Sequence, residues 1–299
     1  MTGDVSDSAK GAAAHPQEFP PVCVLGLGLI GGSLLRAAAK AGRTAWGYNR
    51  SAATVAEASA DGFDVSADLT ATLARAQQAG ALIVVAVPMP AVDQVLAAVA
   101  EHAPGCPLTD VVSVKGPVVE AVARHGLAAR YVGGHPMAGT ADSGWPAGSA
   151  DLFRDAVWVV CDGDPGNPPV RALVERLAHD CGARIVAAAP DEHDDAVARI
   201  SHLPHLLAEA LACVGADDGL ALQLAAGSFR DGTRVAGTAP ALVRAMCEAN
   251  AESLLGALDE ALELLERARE ELAGPGTVAE LVEAGHRAHR RYLAARGQR

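Results

Sequence analysis

The side chains and turns best suited to chemistry sit in a few short stretches of this chain. In the first, Val22-Cys-Val-Leu25 runs straight into Gly26-Leu-Gly28-Leu29-Ile30-Gly31, and an Ala- and Leu-rich stretch follows. An apolar strand feeding G-x-G-x-x-G and then a helix is the arrangement that grips a dinucleotide pyrophosphate. Gly26 allows the tight turn, Gly28 the close approach of phosphate, and Gly31 the packing of helix on strand. Leu29 and Ile30 open the helix, so its first N–H groups and the positive end of its dipole face the same phosphates. A glycine-rich turn without a ligand is the competing reading, and the strand–turn–helix context favours the dinucleotide.

The choice of dinucleotide falls on Asn49-Arg50-Ser51, directly after the strand-like run Thr44–Tyr48. Folds that bind NAD usually carry an Asp or Glu about 20 residues past the glycines to hold the ribose hydroxyls. Here Asn49 takes that place. It can bond a 2′-hydroxyl and would not repel a 2′-phosphate, Arg50 can pair with that phosphate, and Ser51 can add a hydrogen bond. The trio leans towards NADP over NAD, with an Arg50 stacked on adenine or free in solvent as the alternative. Val87 and Pro88, at the end of the run Leu82–Val87, would pass under the cofactor; Pro88 equally reads as a plain strand terminator.

Removing a hydride from a hydroxyl-bearing substrate needs a base for the hydroxyl proton. His135 follows the strand-like run Arg130–Gly133, which places it at the carboxyl edge of a sheet, where open α/β folds bind their ligands. Neutral imidazole is a suitable acceptor near pH 7. The alternative is a structural histidine bonded to a loop carbonyl. Ser113 closes the run Pro107–Val112 and faces the same cleft. Lys115 is either a positive element of that cleft or a surface residue where the next helix begins.

Four stretches behind the glycine turn carry a family likeness. They are Asp110-Val-Val-Ser113-Val-Lys115-Gly, then Gly134-His135-Pro136-Met137-Ala138-Gly139-Thr140 with Ser143-Gly144, then Ser201-His202-Leu203-Pro204-His205. The fourth is Gly227-Ser-Phe-Arg230-Asp231-Gly-Thr233-Arg234-Val-Ala236. In this order the set resembles the prephenate/arogenate dehydrogenase family of tyrosine biosynthesis. The resemblance implies a metal-free oxidative decarboxylation that turns prephenate into 4-hydroxyphenylpyruvate, or arogenate into tyrosine. It makes His135 the catalytic histidine on the ring 4-hydroxyl and sets Ser113 between nicotinamide and that hydroxyl. It makes Arg234 the anchor of a substrate carboxylate, a task suited to the guanidinium fork. It adds His205 and Thr140 on the substrate side, and leaves Arg230 either shaping the surroundings of Arg234 or pairing with Asp231. His202 reads as structural. Many relatives carry an acid directly after the HPxxGT stretch; Ala141 stands there, and the role of that acid is not transferred to Asp142.

The elements that must position these groups are legible as alternating periods. Strand-like runs at Val22–Leu25, 44–48, 82–87, 107–112, 130–133, 156–160 and 183–186 alternate with helical stretches at 29–41, 52–60, 91–100, 118–123 and 169–181. That alternation predicts a doubly wound parallel sheet, a Rossmann-type α/β domain over residues 20–189. Asp162–Pro169 reads as a turn-rich loop, and residues 1–19 as a disordered tail. From residue 190 to 299 strands give way to helical patterns, an all-α domain for substrate binding and dimerisation. Leu254, Leu258, Ala261, Leu265, Ala268 and Leu272 mark one apolar face, suited to a homodimer or to neighbours in the same chain. Gly274-Pro275-Gly276 breaks that helix and Thr277 caps the next.

Bulk properties exclude several classes. A net charge of −12 disfavours nucleic acid and anionic membrane as partners, so a small anionic substrate must be caught by local Arg or Lys. Six scattered cysteines with no CxxC pair read as reduced thiols, and no apolar run reaches membrane length, so the expected compartment is cytoplasmic. A β-hydroxyacid dehydrogenase also joins such domains but commonly uses a lysine of its helical half. Here the lysines are Lys10, Lys40 and Lys115. A non-catalytic dinucleotide-binding regulator is the second rival, and His135 with Arg234 argues against it.

Overall fold

The structure, a computed structural model, describes residues 19–140, 142–161, 166–295 and 297. The expected tail lies outside these residues except for Phe19, and so do Ala141 and the first part of the loop at 162–169. The loop is also shorter than expected, because Asn167 accepts the Val170 N–H and caps a helix that already begins at Pro168.

Eight strands form one sheet in the order β3-β2-β1-β4-β5-β6-β7-β8. They are β1 Val22–Leu25, β2 Ala45–Tyr48, β3 Val65–Ser66, β4 Leu82–Val85, β5 Leu108–Asp110, β6 Tyr131–Pro136, β7 Val157–Cys161 and β8 Arg184–Ala188. The first six are parallel, in the Rossmann order that puts a switch point between β1 and β4. Along β1 and β4, Val22, Val24, Leu82 and Val84 enter one apolar layer while Cys23, Leu25, Ile83 and Val85 enter the other. Burial on both faces is why these strands read as unbroken apolar runs.

Four features depart from the sequence reading. The two-residue β3 and the helix α3 (Leu69–Ala79) go unannounced, one too short and the other too polar to show a period. β4 stops at Val85, leaving Val87 and Pro88 in the turn before α4 (Met89–His102). β5 stops at Asp110, because the Asp110 carboxylate accepts the Val112 N–H and turns the chain. β6 instead continues through His135, and its partner β7 runs antiparallel, so the sheet is mostly, not wholly, parallel.

The sheet ends at Ala188 and helices follow from Pro190. α7 (Pro190–Val197), a π turn (Ala198–His202) and α8 (Leu203–Ala216) run on as one rod. Pro204 brings no N–H to the helical ladder, and the widened turn lies just ahead of it. Farther on come α9 (Gly219–Leu224), α10 (Gly227–Thr233), a 3-10 turn (Arg234–Gly237), α11 (Pro240–Ala249), α12 (Ala251–Ala273) and α13 (Ala279–Ala295). The apolar stripe of α12 is packed at Leu254 and runs off the fold, with Leu265 52% and Leu272 70% exposed. No described helix is long and apolar enough to cross a membrane.

Candidate active site

His135 lies near the end of β6, opposite Val159 of β7. Its Nδ1 is 2.8 Å from Nε2 of His193, and His193 Nδ1 is 2.8 Å from Asp194 Oδ1. Both partners belong to α7, in the other half of the chain. Burial, then the Lys115 ammonium, then His193 and His202, hold the His135 imidazolium well below its usual range. The ring is therefore held neutral at neutral pH. Asp194 loses solvation on burial, but the His193 bond and the N–H groups of Gly116 and Lys115 outweigh this and keep its carboxyl below the ordinary range.

Lys115 resolves one open alternative. It is not a surface residue: it is 0% exposed and ion-paired with Asp110, itself almost fully buried. Its Nζ also donates to the Gly134 carbonyl at 2.8 Å, and the Tyr131 hydroxyl donates to Asp110 Oδ2 at 2.6 Å. The backbone just ahead of His135 is thus clamped by a charged group that cannot leave. Gly134 must be glycine here, since a Cβ would lie 2.7 Å from the Asp110 carbonyl. Ser113 is half-buried in the turn between β5 and α5 (Gly116–Arg124).

The glycine turn is packed too closely for side chains at two of its glycines. Gly26 adopts φ +105, and a Cβ there would lie 2.5 Å from the Ala86 carbonyl; one at Gly31 would lie 1.9 Å from the Gly26 carbonyl. Gly28, exposed at the start of α1 (Leu29–Lys40), faces open space, and no side chain caps that helix. The first N–H groups of α1, at half-buried Leu29 and Ile30 and at Gly31, have no partner inside the helix and suit an anion. Asn49 Oδ1 accepts the Leu27 N–H at 3.1 Å, which ties β2 to this turn and leaves its amide N–H groups available. Ser51 caps α2 (Ala52–Ala60) by accepting the Thr54 N–H, and Arg50 is exposed beside it.

His202 and His205 lie on the same rod as His193. Burial pushes His202 down to about 4, and its Nδ1 meets the Asn250 amide at 3.2 Å. Asn250 also donates to the Asp194 carbonyl at 2.8 Å, so His202 is built into the packing of the helices. His205 is half-buried, and burial and the nearby Arg234 charge both lower its proton affinity. Its Nδ1 has no hydrogen-bond partner among the described residues. Arg234, at the head of the 3-10 turn, is exposed and forms no ion pair with a described residue. Arg230 is 78% exposed and paired with Asp231, the second of its two anticipated fates. Thr140 is exposed and donates to the Asp142 carbonyl at 3.3 Å.

Comparison with known proteins bears directly on this arrangement. Residues 33–187 match the prephenate dehydrogenase nucleotide-binding domain, and residues 189–284 match the prephenate dehydrogenase dimerization domain. The chain belongs to the prephenate dehydrogenase family. A cyclohexadienyl dehydrogenase of Zymomonas mobilis is 32% identical over 266 residues, 85% of this chain and 89% of that one. A prephenate dehydrogenase of Bacillus subtilis is 34% identical over 168 residues, and the match spans 54% of this chain but only 45% of the relative. The structure of a Corynebacterium glutamicum protein assigned to the prephenate dehydrogenases superposes with a TM-score of 0.90 at 52% identity, covering 92% of this chain and 89% of that one. Membership removes the β-hydroxyacid dehydrogenase reading.

Within this member of the family, sequence reasoning missed His193, Asp194, Asp110, Tyr131 and Asn250. His193 and Asp194 sit in Asp191-Glu-His-Asp-Asp195, which looks like a solvated acidic helix start. The available signal was a His-Asp pair just past the last strand.

Proposed function

We propose that this protein oxidatively decarboxylates prephenate or arogenate with NADP or NAD, NADP being preferred. The observation that carries this is the neutral, desolvated His135, clamped at the end of β6 in a chain with a pyrophosphate-binding turn. When bound, the nicotinamide supplies the hydride acceptor. His135 takes the proton of the ring hydroxyl, and Ser113 orients that hydroxyl. Arg234 holds a carboxylate of the substrate, and His205 and Thr140 contact it, while Arg230 stays paired with Asp231. As the hydroxyl becomes a carbonyl, the ring carboxylate leaves as CO₂, its bonding electrons aromatise the ring to a phenolate, and His135 returns the proton to that oxygen. Gly26, Gly28, Leu29, Ile30 and Gly31 hold the pyrophosphate, Asn49, Arg50 and Ser51 the adenosine ribose, and Val87 and Pro88 line the cofactor path. The exposed Leu265 and Leu272 are covered in a homodimer formed through the helical half. Absorbance at 340 nm, followed with each acid and each cofactor, tests the reading. It should rise with at least one pair, and no rise with any pair would mark a non-catalytic binding protein.

A further inference from the structure

The His135–His193 bond joins a strand of the nucleotide-binding half to the first helix of the other half. Its direction follows from what stands behind it. An ionised Asp194 can only accept: Oδ1 takes the Lys115 N–H at 2.8 Å and Oδ2 the Gly116 N–H at 2.7 Å. His193 must therefore donate to Oδ1 through Nδ1. With its proton committed to Asp194 through Nδ1, His193 presents Nε2 as the acceptor for Nδ1–H of His135. His135 is left with a bare Nε2, the nitrogen that faces away from this chain of bonds.

We infer that His193 and Asp194 are positioning residues that fix the tautomer of His135 so that Nε2 is the proton acceptor. The inference rests on His135 being the base. In the step itself, the substrate hydroxyl proton moves to Nε2 of His135, Nδ1–H stays bonded to His193, and the new positive charge is shared towards Asp194. No proton needs to leave His193. The relay spans both halves: Asp194 is gripped by the backbone ahead of α5 and, through its carbonyl, by Asn250 at the α11–α12 junction. The base is competent only while the two halves are docked.

The test reads the tautomer without substrate, from ring ¹H–¹⁵N correlation spectra of ¹⁵N-histidine-labelled full-length protein at neutral pH. His135 should appear as the Nδ1–H form. In Asp194→Ala, His193 Nδ1 loses its carboxylate acceptor, and its proton is free to move to Nε2 and donate to Nδ1 of His135. His135 should switch to the Nε2–H form, and turnover should fall by about 10²–10⁴, as when the acceptor behind a catalytic histidine is lost. KM and cofactor affinity should stay near those of the unaltered protein. His193→Gln keeps an acceptor for Nδ1–H and should retain the tautomer and much of the turnover that His193→Ala loses. An Asp194→Ala protein with unchanged tautomer and turnover overturns the inference, as does a His193→Gln loss equal to that of His193→Ala. Failure of the base assignment shows separately, as full turnover in His135→Asn.

Discussion

Around His135, the groups Asp110, Lys115, Tyr131, His193 and Asp194 find their partners in one another, out of solvent. Along the helical half, Arg234 is exposed, and Leu265 and Leu272 turn apolar surface to solvent. One side is complete within a single chain. The other presents groups that a carboxylate and a second apolar surface would complete. His135 is built on a strand and locked by buried bonds, which suits a group that must hold its geometry within tenths of an ångström. Arg234 stands at the surface of helices that few buried residues hold, which suits a group that must admit and release a ligand.

The contrast predicts different failures on the two sides. His135→Asn should cut turnover by about 10²–10⁴ with cofactor affinity nearly unchanged, measured by steady-state kinetics and cofactor titration. Lys115→Met should act through stability. It strands Asp110 in the core, and breaking a buried pair from one side costs about 3–5 kcal/mol, readable as a lower urea midpoint. A midpoint close to the original would mean that Tyr131 and the Val112 N–H satisfy Asp110 alone.

Arg234→Ala should do what neither of those does. Losing a charge-assisted bond worth about 1.5–3 kcal/mol raises KM for prephenate or arogenate about ten- to hundredfold, with turnover affected less. Lysine at 234 should rescue only in part, because it lacks the planar fork. Lost cofactor affinity would place Arg234 on the wrong side of the cleft. The smallest effect belongs to the exposed Arg50. Arg50→Ala should weaken NADP more than NAD, and Asn49→Asp, which keeps an oxygen for the Leu27 N–H, should tilt preference towards NAD. Equal changes for both cofactors would return Arg50 to an adenine-stacking or solvent role.

Local pattern was enough for the broad features that follow from periodicity and backbone sterics. The glycine turn follows from backbone sterics over six residues, the strands from apolar runs buried on both faces, and the helical half from the loss of strand periods after Ala188. Strand ends were less legible: β5 stops because one carboxylate turns back on its own backbone, and β6 continues because an antiparallel neighbour arrives from 157–161. What the tertiary structure alone decided is who stands behind His135. Its partner His193 is 58 positions away, and Asp194 is 79 from the Lys115 N–H it accepts. Nothing in an acidic helix start distinguishes a solvated face from a buried relay until the fold closes over it. Burial then makes a lysine, two aspartates and two histidines interdependent, because an unpaired charge there costs several kcal/mol and must find a partner wherever the chain brings one.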